Sequence, residues 1–415
     1  MLHQLTIDIR RLREEVDGLA AISEAPTPVV TRVLFSEADL RGRAFVKELF
    51  RESGLQVRED AVGNFFARWL GKDSHLAPVA TGSHIDAIPN AGRYDGVVGV
   101  LGALEAVRAL KRCGFEPRRS IELIIFTAEE PTRFGIGCLG SRLLSGALAP
   151  EKAAALRDVE GVTLEQWRDK AGYSGARLDT VPLASNIYSG FIELHIEQGP
   201  LLEQDNIRIG VVTSIAAPST LRVLLTGIGG HAGAVLMRDR HDALLAGAEI
   251  ALAVEQAALA SGSPDTVSTT GVFRIEPGAV NSVPSRAWLE IDLRDTKLAT
   301  RDAALNRIET SVSQICRRRG VEFQLERLNL DLPATCDPDL IKRVLAVCRE
   351  LSLSAREMIS RAYHDSLFMA RLCPTTMIFI PCYNGVSHRP DEYSSPEQIC
   401  DGVQVLAQTL ARMAA

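Results

Sequence analysis

The chain has 415 residues, 46% of them hydrophobic and 24% charged, with a formal net charge of −6. That length exceeds one ordinary hydrophobic core and predicts two domains, while the composition is that of a globular enzyme and excludes a disordered chain. Acidic and basic residues are mixed, and the densest basic run, Arg317-Arg318-Arg319, ends a predicted helix where cations suit the macrodipole, which excludes the clustered footprint of a nucleic-acid binder.

The N-terminal stretch MLHQLTIDIRRLREEVDGLAAI is charged and helix-like, without the basic, apolar and small-residue regions of a secretory signal. No run of about 18 apolar residues occurs, so no membrane span is expected. The eight cysteines (113, 138, 316, 336, 348, 373, 382, 400) form no CxxC pair and read as reduced thiols, which suits a cytoplasmic location.

From Ala77 the chain has α/β grammar. APVATGSHIDAI reads as a strand running into a loop, and VVGVLGALEAVRALKRCG as a helix whose apolar residues recur at helical spacing, with Gly114 at its C-terminal end. SIELIIFT is short, apolar and β-branched, a buried strand, and Glu129 and Glu130 stand just beyond it. Residues 151–189 are more polar and read as a surface insertion, with VEGVTLEQWRDKAGY as a helix candidate. The glycines of GVVGVLG lack a GxGxxG signature and read as helix packing rather than nucleotide binding.

Next come a strand (LRVLLTG), a long helix (DALLAGAEIALAVEQAALA), two strands (VSTTGVFRIEP and RAWLEIDLRD), a second helix (DAALNRIETSVSQICRRR) and a strand (VEFQLERL). This β-α-β-β-α-β order predicts a small ferredoxin-like α+β domain over 213–327. A helix (DLIKRVLAVCREL), a strand (TTMIFIPC) and a closing helix (PEQICDGVQVLAQTLARM) return to α/β grammar. The fold class is therefore α/β: a discontinuous domain over 1–212 and 328–415, with a sheet flanked by helices and a smaller domain inserted in it.

Polar groups collect where strands of the larger domain end: His84 and Asp86 in SHID, Asp95, the Glu129-Glu130 pair, His195 in ELHIEQG, and His388 in NGVSHRPDE. Each alone has an ordinary reading as a solvated or hydrogen-bonded side chain. Together, beyond strand ends of one α/β domain, they predict a metal site. Imidazole and carboxylate without thiolate suit Zn²⁺, Mn²⁺, Ni²⁺ or Co²⁺. A glutamate beside a metal-ligating glutamate is placed to carry protons.

SHIDAIPNAGRYDG, FTAEEPTRFG, ELHIEQGP, GGHAGA, NSVP and NGVSH occur in order, and with them the chain resembles the aminoacylase/carboxypeptidase-type metallopeptidases. The resemblance is nearest to the branch holding N-carbamoyl-L-amino acid, allantoate and ureidoglycolate amidohydrolases, and it runs from about residue 30 to the end. It implies that His84 and His195 hold one ion, Glu130 and His388 a second, and that Asp95 bridges them. Glu129 would be the general base, and Asp86 would orient His84; a loop-capping role for Asp86 remains the alternative. The resemblance further implies two divalent ions per subunit, Mn²⁺ favoured and Zn²⁺ next. It also implies a homodimer through the inserted lid domain, whose His231 and Asn281 serve the neighbouring site.

The resemblance also implies that Arg294 binds a substrate carboxylate, which its fork suits; by the residues alone an ion pair to Asp292 or Asp295 is the plainer reading. Pro218 and Ser219 stand where allantoate and carbamoyl-amino-acid enzymes typically carry Gln-Arg, and ISRAYHDSLFMA replaces their glycine-rich SGAGHD segment. With Tyr363 and His364 as substrate contacts, these features resemble the ureidoglycolate-cleaving members. Tyr363 packed in a loop without substrate contact is the other possibility. A catalytically silent scaffold is the alternative from outside the enzymes.

Overall fold

The computed structural model describes residues 5–415. The chain divides into two compact units, one running to Thr213 and resuming over Thr335–Ser360 and His364–Ala415, the other comprising Ser214–Ala334 and Arg361–Tyr363.

Among the described residues, nine strands build the sheet of the first unit. At its centre lie four parallel strands in the order Thr375–Ile380, Gly190–Ile196, Val79–His84 and Ile121–Phe126. Every residue of these four is buried. Sheets covered on both faces need strands without a polar side, which is why these segments read as apolar runs rather than alternating ones. The flanks are antiparallel: Phe65–Trp69 and Gln56–Glu59 extend one edge, and Ile209–Ile215 follows Thr375–Ile380 on the other. From the Val79–His84 strand the chain moves first to Ile121–Phe126 on one side and later to Gly190–Ile196 on the other. The sheet order therefore reverses at Val79–His84, the position where α/β sheets leave a crevice beyond their carboxyl ends.

The Val97–Arg112 helix makes the crossover between Val79–His84 and Ile121–Phe126, and it is buried along most of its length. Its glycines serve packing: a Cβ on Gly99 would lie 2.4 Å from the Leu194 carbonyl oxygen. The helix ends as its glycine predicts, with Gly114 at φ +75°, its N–H donating to the Lys111 carbonyl and that of Phe115 to Leu110.

Two regions differ from expectation. The Glu37–Glu52 helix and the Gln56–Glu59 and Phe65–Trp69 strands are not among the predicted elements, although Ser36 caps the helix through Asp39 N–H. The 151–189 stretch is less superficial than its polarity suggests. Its helix, Leu164–Lys170, starts from a Thr163–Gln166 capping box, and Leu164, Leu178 and Val181 join the core cluster. A few apolar anchors suffice there because most of the surrounding polar residues remain at the surface, Arg168 being the buried exception.

Arg32 is fully buried, and its guanidinium donates to the carbonyls of Ile22 and Leu19, near the end of the Ile9–Ala20 helix, and of Ile85. Burial pulls its pKa down to about 10. The Ile85 contact ties the turn between His84 and Asp86 to the N-terminal helix. Arg32→Met is expected to destabilise the protein by about 2–4 kcal/mol, because it leaves several buried carbonyls without donors. A urea-denaturation midpoint equal to that of the parent would refute this.

The second unit carries the β-α-β-β-α-β order. Its antiparallel sheet runs Val267–Glu276, Arg286–Asp295, Ala217–Thr226, Glu322–Leu330, and its core joins the sheet to the helices Ala243–Leu259 and Leu298–Arg319. Leu221, Val223 and Leu225 alternate with half-buried or exposed residues, as a one-sided sheet requires. All eight cysteines are free thiols, and among the described residues no helix is long and apolar enough to cross a membrane.

Candidate metal centre

The four central parallel strands deliver the site. Register pairs Thr81 with Ile192 and so sets His84 level with His195, whose rings lie 6.1 Å apart at 26°. The Nδ1 of His84 hydrogen-bonds the Asp86 carbonyl at 3.1 Å, and that of His195 the Ile196 carbonyl at 2.9 Å. A main-chain carbonyl needs a donor, so each ring holds its proton on Nδ1 and turns the Nε2 lone pair inward.

Both Nε2 atoms face Asp95 Oδ1, at 3.5 Å from His84 and 3.2 Å from His195. The other oxygen, Oδ2, faces His388 Nε2 at 3.2 Å, and His388 in turn lies 3.3 Å from Glu130 Oε1. One carboxylate thus divides its two oxygens between two ligand groups: His84, Asp95 and His195, and Asp95, Glu130 and His388.

Local backbone geometry explains how these groups converge. Gly96 follows Asp95 at φ +66°, and a Cβ there would sit 2.5 Å from the His84 ring. Ala128 at φ +51° turns the chain just before the glutamate pair, and His388 itself sits at φ +58°. Left-handed conformations at non-glycine residues cost free energy and gather at functional sites. Asp86 receives the turned backbone: its two carboxylate oxygens accept the N–H groups of Glu129 and Glu130 at 3.2 and 3.1 Å. It therefore caps the glutamate turn with its side chain and seats His84 with its carbonyl.

The charges are strongly interdependent. Burial works against the Asp95 charge, but the imidazoles of His195, His388 and His84 around it outweigh that and hold the carboxyl well below the usual range. The same contacts, from Asp95 and then Glu130, push His388 up to about 11. Burial raises Glu129 far above the ordinary carboxyl range, with His84 opposing and Glu130 adding to the rise, and it raises Glu130 as well. The donor set fits a divalent metal: Nε2 of His84 is buried without a hydrogen-bond partner and directed at Asp95. His84, Asp95 and His195 would hold one ion, and Asp95, Glu130 and His388 another.

Glu129 belongs to neither group. Its Oε2 is 3.8 Å from His84 Nε2, and its Oε1 accepts from the Cys138 thiol at 3.5 Å. His364 stands beside the site, its ring 4.5 Å from that of His195. The remaining predicted residues belong to the second unit. His231 and Asn281 are neighbours there and both exposed: His231 pairs with Ser282, and the Ala232 N–H donates to the Asn281 carbonyl. Arg294 forks onto Asp292 at 2.8 and 3.1 Å, and its guanidinium lies 5.3 Å from the Tyr363 ring. Asp295 instead accepts from Thr266.

Sequence reasoning missed the groups that hold Asp95 in place. Gln198 Nε2 and Ser387 Oγ donate to Asp95 Oδ2 at 2.7 and 2.9 Å, and Glu392 accepts the Asp95 N–H. It also missed Glu193, buried between Ser83 and Ser366. Gln198 and Glu193 share ELHIEQG with His195, and Ser387 and Glu392 flank His388, so adjacency within those motifs was the available signal.

A discontinuous α/β unit presenting this cluster beyond its sheet defines a class, and the chain belongs to Peptidase family M20/M25/M40, matched over residues 80–412. That family is metal-dependent. Among its relatives is the ureidoglycolate hydrolase of Arabidopsis thaliana, 52% identical over 415 residues, covering 99% of this chain and 87% of that protein. The N-carbamoyl-L-amino-acid amidohydrolase of Pseudomonas sp. strain NS671 is 35% identical over 410 residues, covering 98% and 99%. Crystal structures of AtUAH in complex with glyoxylate and with (S)-hydroxyglycine match at a TM-score of 0.93 and 52% identity, covering 100% of this chain and 99% of that one.

Proposed function

We propose that this chain is a metal-dependent amidohydrolase that cleaves the ureido C–N bond of (S)-ureidoglycolate. One observation carries the chemical half of this reading: Asp95 divides its two oxygens between two imidazole-and-carboxylate groups, with Glu129 beside them but in neither. The substrate half is supported by full-length similarity to a ureidoglycolate hydrolase and to a structure holding (S)-hydroxyglycine.

Two ions are proposed, Mn²⁺ favoured and Zn²⁺ next. When bound, such ions polarise a carbonyl oxygen and make water a nucleophile at neutral pH. Glu129 takes a proton from the attacking water and delivers it to the nitrogen that leaves. Its burial raises its proton affinity, which suits a carboxylate that must hold the proton in transit. Water adds to the ureido carbonyl carbon, and the bond from that carbon to the substituted nitrogen breaks. Carbamate departs and falls apart to ammonia and carbon dioxide, while the hydroxyglycine left behind loses a second ammonia to give glyoxylate.

In this reading the inserted unit is a lid and dimerisation domain. Its Arg294 is the partner for the substrate carboxylate, Tyr363 and His364 are neighbours for the hydroxyl, and His231 and Asn281 complete the site of a second copy. The outer face of the Ala243–Leu259 helix supports an association between copies, because Leu245, Leu252 and Leu259 stand exposed at seven-residue spacing.

Ammonia and glyoxylate are to be assayed on the Mn²⁺-loaded protein with (S)-ureidoglycolate, allantoate and N-carbamoyl amino acids. Two ammonia per glyoxylate from ureidoglycolate is the expected result. Turnover of only allantoate or carbamoyl amino acids would overturn the substrate, and silence on all three would overturn the enzyme.

A further inference from the structure

We propose that Glu392 is a positioning residue that locks the Asp95 loop to the His388 loop and thereby sets how tightly the site holds metal. This inference rests on the metal-site reading above. The residue lies four positions after His388, in the loop between the Thr375–Ile380 strand and the Pro396–Ala414 helix. It reaches back to the loop before the Val97–Arg112 helix, nearly three hundred residues away in sequence.

Its two oxygens have separate duties. Oε1 accepts two consecutive main-chain N–H groups, Tyr94 at 2.8 Å and Asp95 at 3.1 Å. Oε2 accepts from Ser387 Oγ at 2.8 Å, the same hydroxyl that lies 2.9 Å from Asp95 Oδ2. Ser387 has one hydroxyl proton, so it serves one of these carboxylates at a time and holds both within reach of it. The backbone and the side chain of Asp95 are therefore both referred to the loop that carries His388.

On the Gly92 side the packing around this lock is tight. Gly92 has no side chain because a Cβ there would sit 2.4 Å from the Glu392 Cβ. The Glu392 N–H donates to the Arg389 carbonyl, closing the turn directly after His388, and the rings of Tyr94 and Tyr393 meet edge to face at 6.0 Å. A buried carboxylate placed near another anion needs a reason to be there. Here it sits close to Asp95 and is used entirely on N–H and O–H donors that orient Asp95 and its loop. Groups behind metal ligands act in this way, fixing where the ligand atoms point.

Metal affinity tests this without reference to any substrate. Mn²⁺ and Zn²⁺ binding would be measured by competition with a chromophoric chelator for the parent, Glu392→Ala, Glu392→Gln and Ser387→Ala, beside thermal unfolding of each metal-free protein. Glu392→Ala is expected to weaken binding roughly 10- to 100-fold, the range for groups that orient metal ligands. Glu392→Gln keeps one acceptor for the two N–H groups and should recover much of that loss. Ser387→Ala, which removes the hydroxyl between Glu392 and the Asp95 side chain but leaves both N–H groups on Glu392, should fall between parent and Glu392→Ala, with metal-free unfolding within a few degrees of the parent. Affinity within twofold of the parent in Glu392→Ala would overturn the inference. So would weakened binding that follows a lowered metal-free unfolding temperature and is not relieved by glutamine. A parent protein that binds neither ion would instead overturn the metal-site reading itself.

Discussion

Glu129→Gln is expected to lower turnover of the ureido substrate by roughly 10²–10⁴-fold, the usual contribution of a positioned proton carrier. The amide matches the carboxylate in size and leaves the fold untouched, but it cannot accept and return a proton. Three features make the loss specific. Glu129 is outside both ligand groups, so bound metal should be unchanged. Its N–H contact to Asp86 is main chain and survives the substitution. Its side chain faces His84 and Cys138, both of which tolerate an amide of the same shape. The measurement is ammonia release together with metal content. Activity within tenfold of the parent at full metal content would remove Glu129 from the role of base.

Asp95→Ala is expected to weaken the binding of both ions by roughly 10²-fold or more, beyond the loss usual for groups that merely orient ligands. Activity should be lost with the metal and return only partly at high metal concentration. The reason lies in the division of its oxygens, since no other side chain belongs to both the His84–His195 group and the Glu130–His388 group. Removal also takes away the carboxylate that the three imidazoles share, and frees the donors Gln198 and Ser387. Asp95→Asn separates these effects: it keeps the shape and loses the charge, and it should bind nearly as poorly as alanine. Two ions retained at near-parent affinity by either variant would show that Asp95 bridges nothing.

Much of the architecture was legible in the chain because its elements obey simple periodicities. Runs such as IELIIF and TTMIFI have no polar face, so they could only be strands buried on both sides. In the second unit, LRVLLT and RAWLEIDLRD alternate, and with two amphipathic helices between strands they specify the small α+β unit by order alone. The candidate ligands could be named because histidines and carboxylates stand where those strands end. Residues 37–60 and 164–181 were harder: their buried positions are scattered among exposed and charged ones, so periodicity says little. Arg168 illustrates this, a cation that is buried because it reaches the Ala61 carbonyl.

The sequence by itself determined which residue types are available for the chemistry, which apolar segments form strands, and that one unit is inserted in the other. Only the tertiary structure decided how those residues act together. It set His84 level with His195 through strand register, divided the oxygens of Asp95 between two groups, and left Glu129 beside both. It also brought Glu392 and Ser387 against the loop of Asp95. The physical reason is that periodicity reports which face of an element is buried, and is local. Ligand geometry depends on contacts between strand ends and loops nearly three hundred residues apart, and no local pattern encodes those distances.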